Sequence, residues 1–216
     1  MFRADALADL PWLEHGFGTR LSPGWPGVNS FVGERLATAK QVHSNHVLRV
    51  RTSGPQGEGD ALISDEPGVG LTIRTADCLP ILIADPRNRA IAAVHAGWRG
   101  VVSEIASKAV EAMTREFGSR PQDLVVAIGP AIGPCCFEVG PEVAAQFRLS
   151  GRTKVDLIET ACRQLGRNGV SLRQISASGL CSYCDSELFE SYRRDREAAG
   201  RMISMIAISE PGVEGA

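Results

Sequence analysis

The chain has 216 residues and a mass of 23.1 kDa, a size that suits one large domain. Its 44% hydrophobic and 22% charged residues are enough for a sizeable core. The formal net charge of −2, with no basic block or stripe, argues against electrostatic capture of nucleic acid.

The N-terminal stretch MFRADALADLPWLEHGF carries acids and a proline where a signal peptide needs a plain apolar core. No apolar run is long enough to cross a bilayer. These features predict a soluble, cytoplasmic protein with no membrane partner. The Gly/Pro-rich stretch 22–33 reads as a loop, and Ser53–Gly59 (SGPQGEG) as another. Short β-like runs follow at Val47–Arg51, Ala61–Ser64, Gly70–Arg74, Leu79–Ala84, Ala90–His95 and Leu124–Ile128, then at Leu172–Ser176 and Met202–Ile208.

The clearest helix lies beyond His95. Val102, Ile105, Ala106, Ala109, Val110, Met113 and Phe117 keep the i, i+3, i+4, i+7 rhythm of one buried face, and Gly118 closes it. Glu104, Lys108, Glu111 and Arg115 fall on the other side. A second helix is predicted over about Lys154–Leu165 and a third from Ser186 to Arg196. Strands, helices and strands without strict alternation predict an α+β fold with a mixed sheet. No flexible linker divides the chain, so one domain over residues 1–216 is expected.

Cys78, before the run at Leu79, and His95, at the end of the run from Ala90, can meet in space. Such a pair serves either as a catalytic Cys–His couple or as part of a metal site. With His43 they make a Cys/His/His set that leaves a fourth position for water, the usual arrangement of catalytic zinc. One thiolate leaves such a site near +1, acidic enough to generate hydroxide near neutral pH. On spacing alone, a buried Cys78 with both histidines in hydrogen-bonded core or surface roles is the default reading.

The turn His95–Gly100 adds Gly97 and Gly100, which allow close backbone approach, and Arg99, a positive fork suited to phosphate. A tight turn with Trp98 as a core anchor is the simpler alternative. The Gly- and Pro-rich segment Ile128–Glu138 has the stiffness of an active-site wall. It contains the vicinal pair Cys135-Cys136, and Cys181-Ser182-Tyr183-Cys184 is a CxxC pair. A zinc ribbon would need Cys135 and Cys136 to complete it, so packing is the default reading. Ser191-Tyr192-Arg193-Arg194-Asp195 reads as a solvated helix end.

HGFGTR (15–20), QVH (41–43), GDALIS (59–64), TADCLPILIAD (75–85) and AAVHAGWRG (92–100) occur in this order. They continue with IGPAIGPCCFEVG (128–140), LCSYCD (180–185), LFESYRRD (188–195) and GRMISMI (200–206). This resembles the YfiH-like family, also called polyphenol oxidase or laccase-domain proteins, whose members include purine nucleoside phosphorylases of broad specificity. The resemblance covers nearly the whole chain.

It implies one α+β domain, a mixed β-sandwich flanked by helices. It also implies zinc held by His43, Cys78 and His95. The activities implied are phosphorolysis of adenosine, inosine, guanosine and methylthioadenosine, and hydrolytic deamination of adenosine. Arg99 would then bind phosphate, with Gly97 and Gly100 beside it. One departure stands out: members of that family usually carry a longer segment before QVH, whereas here only ten residues separate Ser30 from Gln41.

In that reading Asp77, Asp60 and Glu138 are the candidate proton shuttles. The competing enzyme reading is a metal-free hydrolase or amidase acting on cell-wall precursors, with Cys78 as nucleophile and His95 as base. A non-enzymatic binding module is the third. A self-contained multicopper centre needs on the order of ten histidines, and the chain has four, His15, His43, His46 and His95. Copper therefore enters only as an adventitious occupant of the zinc position.

Overall fold

The computed structural model describes residues 1–22 and 35–210. Helix α1 (Asp5–Ala8) precedes strands β1 (Leu13–Phe17), β2 (Leu36–Lys40), β3 (Val47–Arg49), β4 (Gly54–Glu58) and β5 (Ala61–Ser64). Next come β6 (Gly70–Thr75), β7 (Leu79–Asp85) and β8 (Ala90–Ala96), then α2 (Trp98–Val102), α3 (Ile105–Phe117) and β9 (Val125–Ile128). The remainder is β10 (Glu138–Val139), α4 (Pro141–Gln146), β11 (Thr153–Lys154), α5 (Leu157–Arg167), β12 (Ile175–Ala177), α6 (Tyr192–Asp195) and β13 (Met202–Ile208). None of the described helices is long and apolar enough to cross a membrane.

Two sheets carry the fold, one ordered β1-β13-β6-β2-β4 and the other β12-β9-β7-β8-β5-β3. Both mix parallel and antiparallel pairs. Alternate residues along the second sheet point to opposite faces. Leu62, Leu82, Ala84, Ile91 and Ala93 pack with Leu71, Ile73, Ile206 and Ile208 between the sheets. Ile63, Ile81, Ile83, Ala92, Val94 and Ile128 pack with Ile105, Ala109, Met113 and Leu165 of α3 and α5. The fold is therefore a mixed β-sandwich with helices, α+β. Strands β7 and β8 are buried at every position, which is why they read as unbroken apolar runs.

The β7–β8 hairpin positions the chemistry. Asp85 accepts hydrogen bonds from the Arg87 and Asn88 amides and from the Asn88 side chain, closing the turn at one end. The register then runs to Pro80 opposite His95 and Leu79 opposite Ala96 at the other end. Cys78 and His95 meet because the hairpin is in register.

Several predicted elements differ in the structure. The long helix is broken: α2 ends at Val102, Glu104 adopts a left-handed conformation (φ 60°), and α3 restarts at Ile105. Gly118 does close it, with its amide returning to Met113 and Thr114. The second helix starts at Leu157 because Asp156 caps it, and Lys154 belongs to β11. The third shrinks to the four residues of α6. There the Arg194 guanidinium reaches back to the Phe189, Ser182 and Tyr183 carbonyls and keeps the preceding chain irregular. Residues 172–174 form a 3₁₀ turn before β12.

The SGPQGEG segment, predicted as a loop, contains strand β4. It pairs parallel to β2 across a register shift, with Gly54 and Gly57 at positive φ. Residues 23–33 of the predicted loop and residues 31–34 of the short segment before QVH lie outside the described residues, whereas residues 36–40 of that segment form β2.

Candidate metal centre and cationic cleft

The ligand atoms of His43, Cys78 and His95 lie within 4.8 Å of one another. Cys78 Sγ is 3.9 Å from His43 Nε2, and the two imidazole rings meet edge-on with centroids 4.9 Å apart. His95 is buried, Cys78 is half-buried and His43 is exposed, so the cluster forms the wall of an open cleft.

Asp60 holds this set together. Strand β5 pairs antiparallel with β8, Ala61 opposite Val94, which puts Asp60 beside His95. Its Oδ1 accepts from His95 Nδ1 at 2.8 Å and from the His43 amide at 3.0 Å. Its Oδ2 accepts from the Val42 and Ser44 amides and the Ser44 hydroxyl. One carboxylate thus fixes the ring of His95 and folds the loop that carries His43, which sits at φ 59°. Gln41 ties the start of that loop to β6, exchanging hydrogen bonds with the Arg74 amide and carbonyl.

Gly97 completes the packing. A Cβ there would lie 2.8 Å from His43 Cδ2 and 3.0 Å from Cys78 Sγ, so only glycine leaves both side chains in place. Gly100 is packed against Ile105 of α3. Neither glycine is among the described residues that line the cleft.

The electrostatics follow from this geometry. Burial drives Asp60 toward its neutral form, yet hydrogen bonds from His95 and Ser44 outweigh it and hold the carboxyl far below its ordinary range. Burial likewise opposes charge on His95, but Asp60 and Cys78 carry its pKa up to about 9. Burial raises the Cys78 thiol, while His43 and His95 bring it down to about 7. The pair therefore favours a Cys78 thiolate beside a charged His95 ring. With Nδ1 of His95 committed to Asp60, its Nε2 is the nitrogen left for a metal, the carboxylate–histidine–metal pattern. The set fits a zinc ion bound by two nitrogens and one sulfur.

The cleft holds about 910 Å³. Its walls carry Lys40, Arg74, Arg99, Arg193, Arg196 and Arg201 against the carboxylates of Asp77 and Glu197. Arg99 lies over the Trp98 ring at 4.4 Å, and Arg193 lies over Phe137 at 5.2 Å while donating to the Glu138 carbonyl.

The three acid candidates separate. Asp60 is wholly engaged below the cluster. Asp77 lines the cleft, but it accepts from the Ser182 hydroxyl at 2.7 Å and the Arg193 amide at 2.6 Å. Glu138 is paired with Arg152 at the surface. Arg193, read from sequence as part of a solvated helix end, instead lines the cleft; Arg74, Arg196 and Arg201 join it there and carry no motif that marks them.

Residues 28–209 match the family described as multi-copper polyphenol oxidoreductase laccase. The chain belongs to this family. Within it, a purine nucleoside phosphorylase of Deinococcus radiodurans is 39% identical over 188 residues, covering 82% of this chain and 72% of that one. The purine nucleoside phosphorylase YfiH of Escherichia coli is 36% identical, covering 77% and 71%. The crystal structure of YlmD from Geobacillus stearothermophilus superposes with a TM-score of 0.84 at 30% identity, covering 96% of this chain and 94% of that one. For the YfiH of Bacillus licheniformis the TM-score is 0.78 at 32% identity, covering 81% and 74%.

The laccase-domain name speaks of several coppers. Here His15 is buried elsewhere, accepting from the Ala4 amide, and His46 lies outside the cleft, so two histidines serve the site. Two histidines cannot ligate a mononuclear and a trinuclear copper centre together.

Proposed function

We propose that the protein is a zinc-dependent purine nucleoside phosphorylase that also deaminates adenosine, with adenosine, inosine, guanosine and methylthioadenosine as phosphorolysis substrates. The observation that carries this reading is the Asp60-backed His43–Cys78–His95 set in the wall of a cationic cleft. Relatives at 36–39% identity are named purine nucleoside phosphorylases, which supports the same assignment. When bound by these three residues, zinc supplies Lewis acidity at the cleft wall.

The chain's own residues do the rest. In phosphorolysis a phosphate oxygen bonds to C1′ of the ribose as the bond from C1′ to the purine breaks, and the departing base takes up negative charge. Arg99 and Arg193 hold the phosphate dianion close to the sugar, each braced on an aromatic ring so that its fork is oriented in advance. Trp98, Phe137 and Tyr192 offer apolar faces to the base. Asp77 orients the Arg193 backbone through its 2.6 Å hydrogen bond and is the one of the three acid candidates that lines the cleft. Gly97 acts by having no side chain, and Gly100 by seating α2 on α3.

Zinc-loaded protein is expected to release hypoxanthine from inosine only when phosphate is present, and ammonia from adenosine without it. Zinc-loaded protein that does neither overturns the proposal.

A second reading rests on the Asp60–His95–Cys78 chain, which has the order of an acid–base–nucleophile relay with a thiol already lowered to about 7. It would make the protein a metal-free amidase or hydrolase for cell-wall precursors. A fully active metal-free preparation that is silenced by thiol alkylation would favour it over the zinc reading.

A further inference from the structure

A second cluster of metal-binding character lies away from His43, Cys78 and His95. Cys135, Cys136, Cys181 and Cys184 bring their four sulfurs within 4.8 Å of one another. Cys136 Sγ is 3.3 Å and Cys135 Sγ 3.7 Å from Cys184 Sγ. A tetrahedron of sulfurs around zinc, with Zn–S bonds of about 2.3 Å, has edges of about 3.8 Å. A disulfide needs about 2.05 Å. The sulfurs are too far apart for a disulfide, and the Cys135–Cys184 spacing is close to the tetrahedral edge.

We propose that these four cysteines form a structural zinc site that staples two loops of the cleft wall together. It rests on the sulfur geometry alone and is independent of the nucleoside assignment. Two tight turns present the ligands. In the first, the Cys136 and Phe137 amides both return to the Gly133 carbonyl; in the second, the Asp185 amide returns to Cys181. The Gly133 amide donates to Cys181 Sγ at 3.2 Å, an orientation that favours a thiolate there. Gly133 also clears space, because a Cβ would lie 3.3 Å from Cys135 Sγ and 3.4 Å from Cys181 Cβ.

Simple packing is a poor account of this cluster. Cys136 and Cys181 pack against the core, but Cys135 and Cys184 are exposed, so packing accounts for only two of the four. Four protein ligands leave no open position, the hallmark of a structural rather than a catalytic zinc. Arg194, itself paired with Asp195, donates to the Ser182 and Tyr183 carbonyls and holds the turn between the CxxC cysteines in shape.

The location gives the staple a purpose. One loop carries Ile132 and Phe137, and the other leads to Tyr192 and Arg193, all lining the cleft. Among backbone links, an Ala131–Cys181 bridge and the Ser182 amide to the Ala131 carbonyl join the same two loops. Metal binding converts that short junction into a rigid one.

The test uses the full chain, reduced, stripped of metal and loaded with zinc alone. A His43→Ala variant given one equivalent of Zn²⁺ is expected to bind it with four sulfur neighbours by X-ray absorption spectroscopy. In wild-type protein, Cys184→Ser is expected to lower bound zinc by one equivalent. The proposal is overturned if the His43→Ala protein holds no zinc, or holds it through nitrogen or oxygen ligands. A natively purified chain two hydrogens lighter by intact mass, with the disulfide mapped to Cys136–Cys184 by peptide mass, also overturns it. Should Cys184→Ser fail to fold, the absorption spectrum of the His43→Ala protein decides by itself.

Discussion

At the scale of single residues, Asp60 and Gly97 govern the centre without needing to touch a substrate. Asp60 receives hydrogen bonds from three amides, one hydroxyl and one imidazole, so it orients two of the three proposed ligands at once. Gly97, having no Cβ, permits His43 and Cys78 to approach the strand-to-helix turn closely. Gly97→Ala is expected to displace His43 and weaken zinc binding by about 10- to 100-fold, the usual cost of disturbing the support of a metal ligand. A competition titration with a chelating dye measures it, and unchanged affinity would show that the close approach is not needed. The residues Cys78 and His95 were legible in sequence because each ends an apolar run. Asp60 was legible as an acid but not as an organiser, since that role exists only once β5 lies beside β8.

Secondary elements show where local pattern was sufficient. Helix α5 begins where Asp156 accepts from the Glu159 amide at 2.8 Å, and Asp156→Ala is expected to cost about 1 kcal/mol of stability. Urea unfolding checks this, and a loss below a few tenths would mean the cap is redundant. The 3.6-residue rhythm located α3 and its glycine end correctly. It ran on through Glu104, because the apolar face stays in phase while the backbone breaks. The break is absorbed by tertiary contacts: Gln164 of α5 donates to the Val101 carbonyl at 2.8 Å. Strand β4 escaped notice because two glycines and a proline have low strand propensity, and pairing with β2 supplies what propensity lacks.

The whole molecule responds to pH through the core as well as the cleft. Burial, and then the nearby Arg3, lower the His15 pKa to about 4 from 6.5, with its Nε2 accepting from Ala4. The folded state thus favours neutral His15. Its contribution is complete above pH 6.5 and is lost as pH falls toward 4, where the unfolded chain binds the extra proton first. The depression corresponds to at most about 3 kcal/mol. His15→Gln should therefore unfold with a flatter dependence on pH between 6.5 and 4 than the parent, and identical slopes would refute the assignment.

The sequence by itself determined the α+β class, the central strands, the principal helix, the family and the histidine count that rules out a self-contained multicopper centre. These depend on composition and on periodicities of two and 3.6 residues, which are local. Tertiary structure alone decided that Asp60 lies beneath His95, that Arg74, Arg193, Arg196 and Arg201 share one cleft, and that two separate cysteine pairs converge. Each is a meeting of residues far apart in the chain, set by strand register and sheet order, and no spacing along the sequence encodes it.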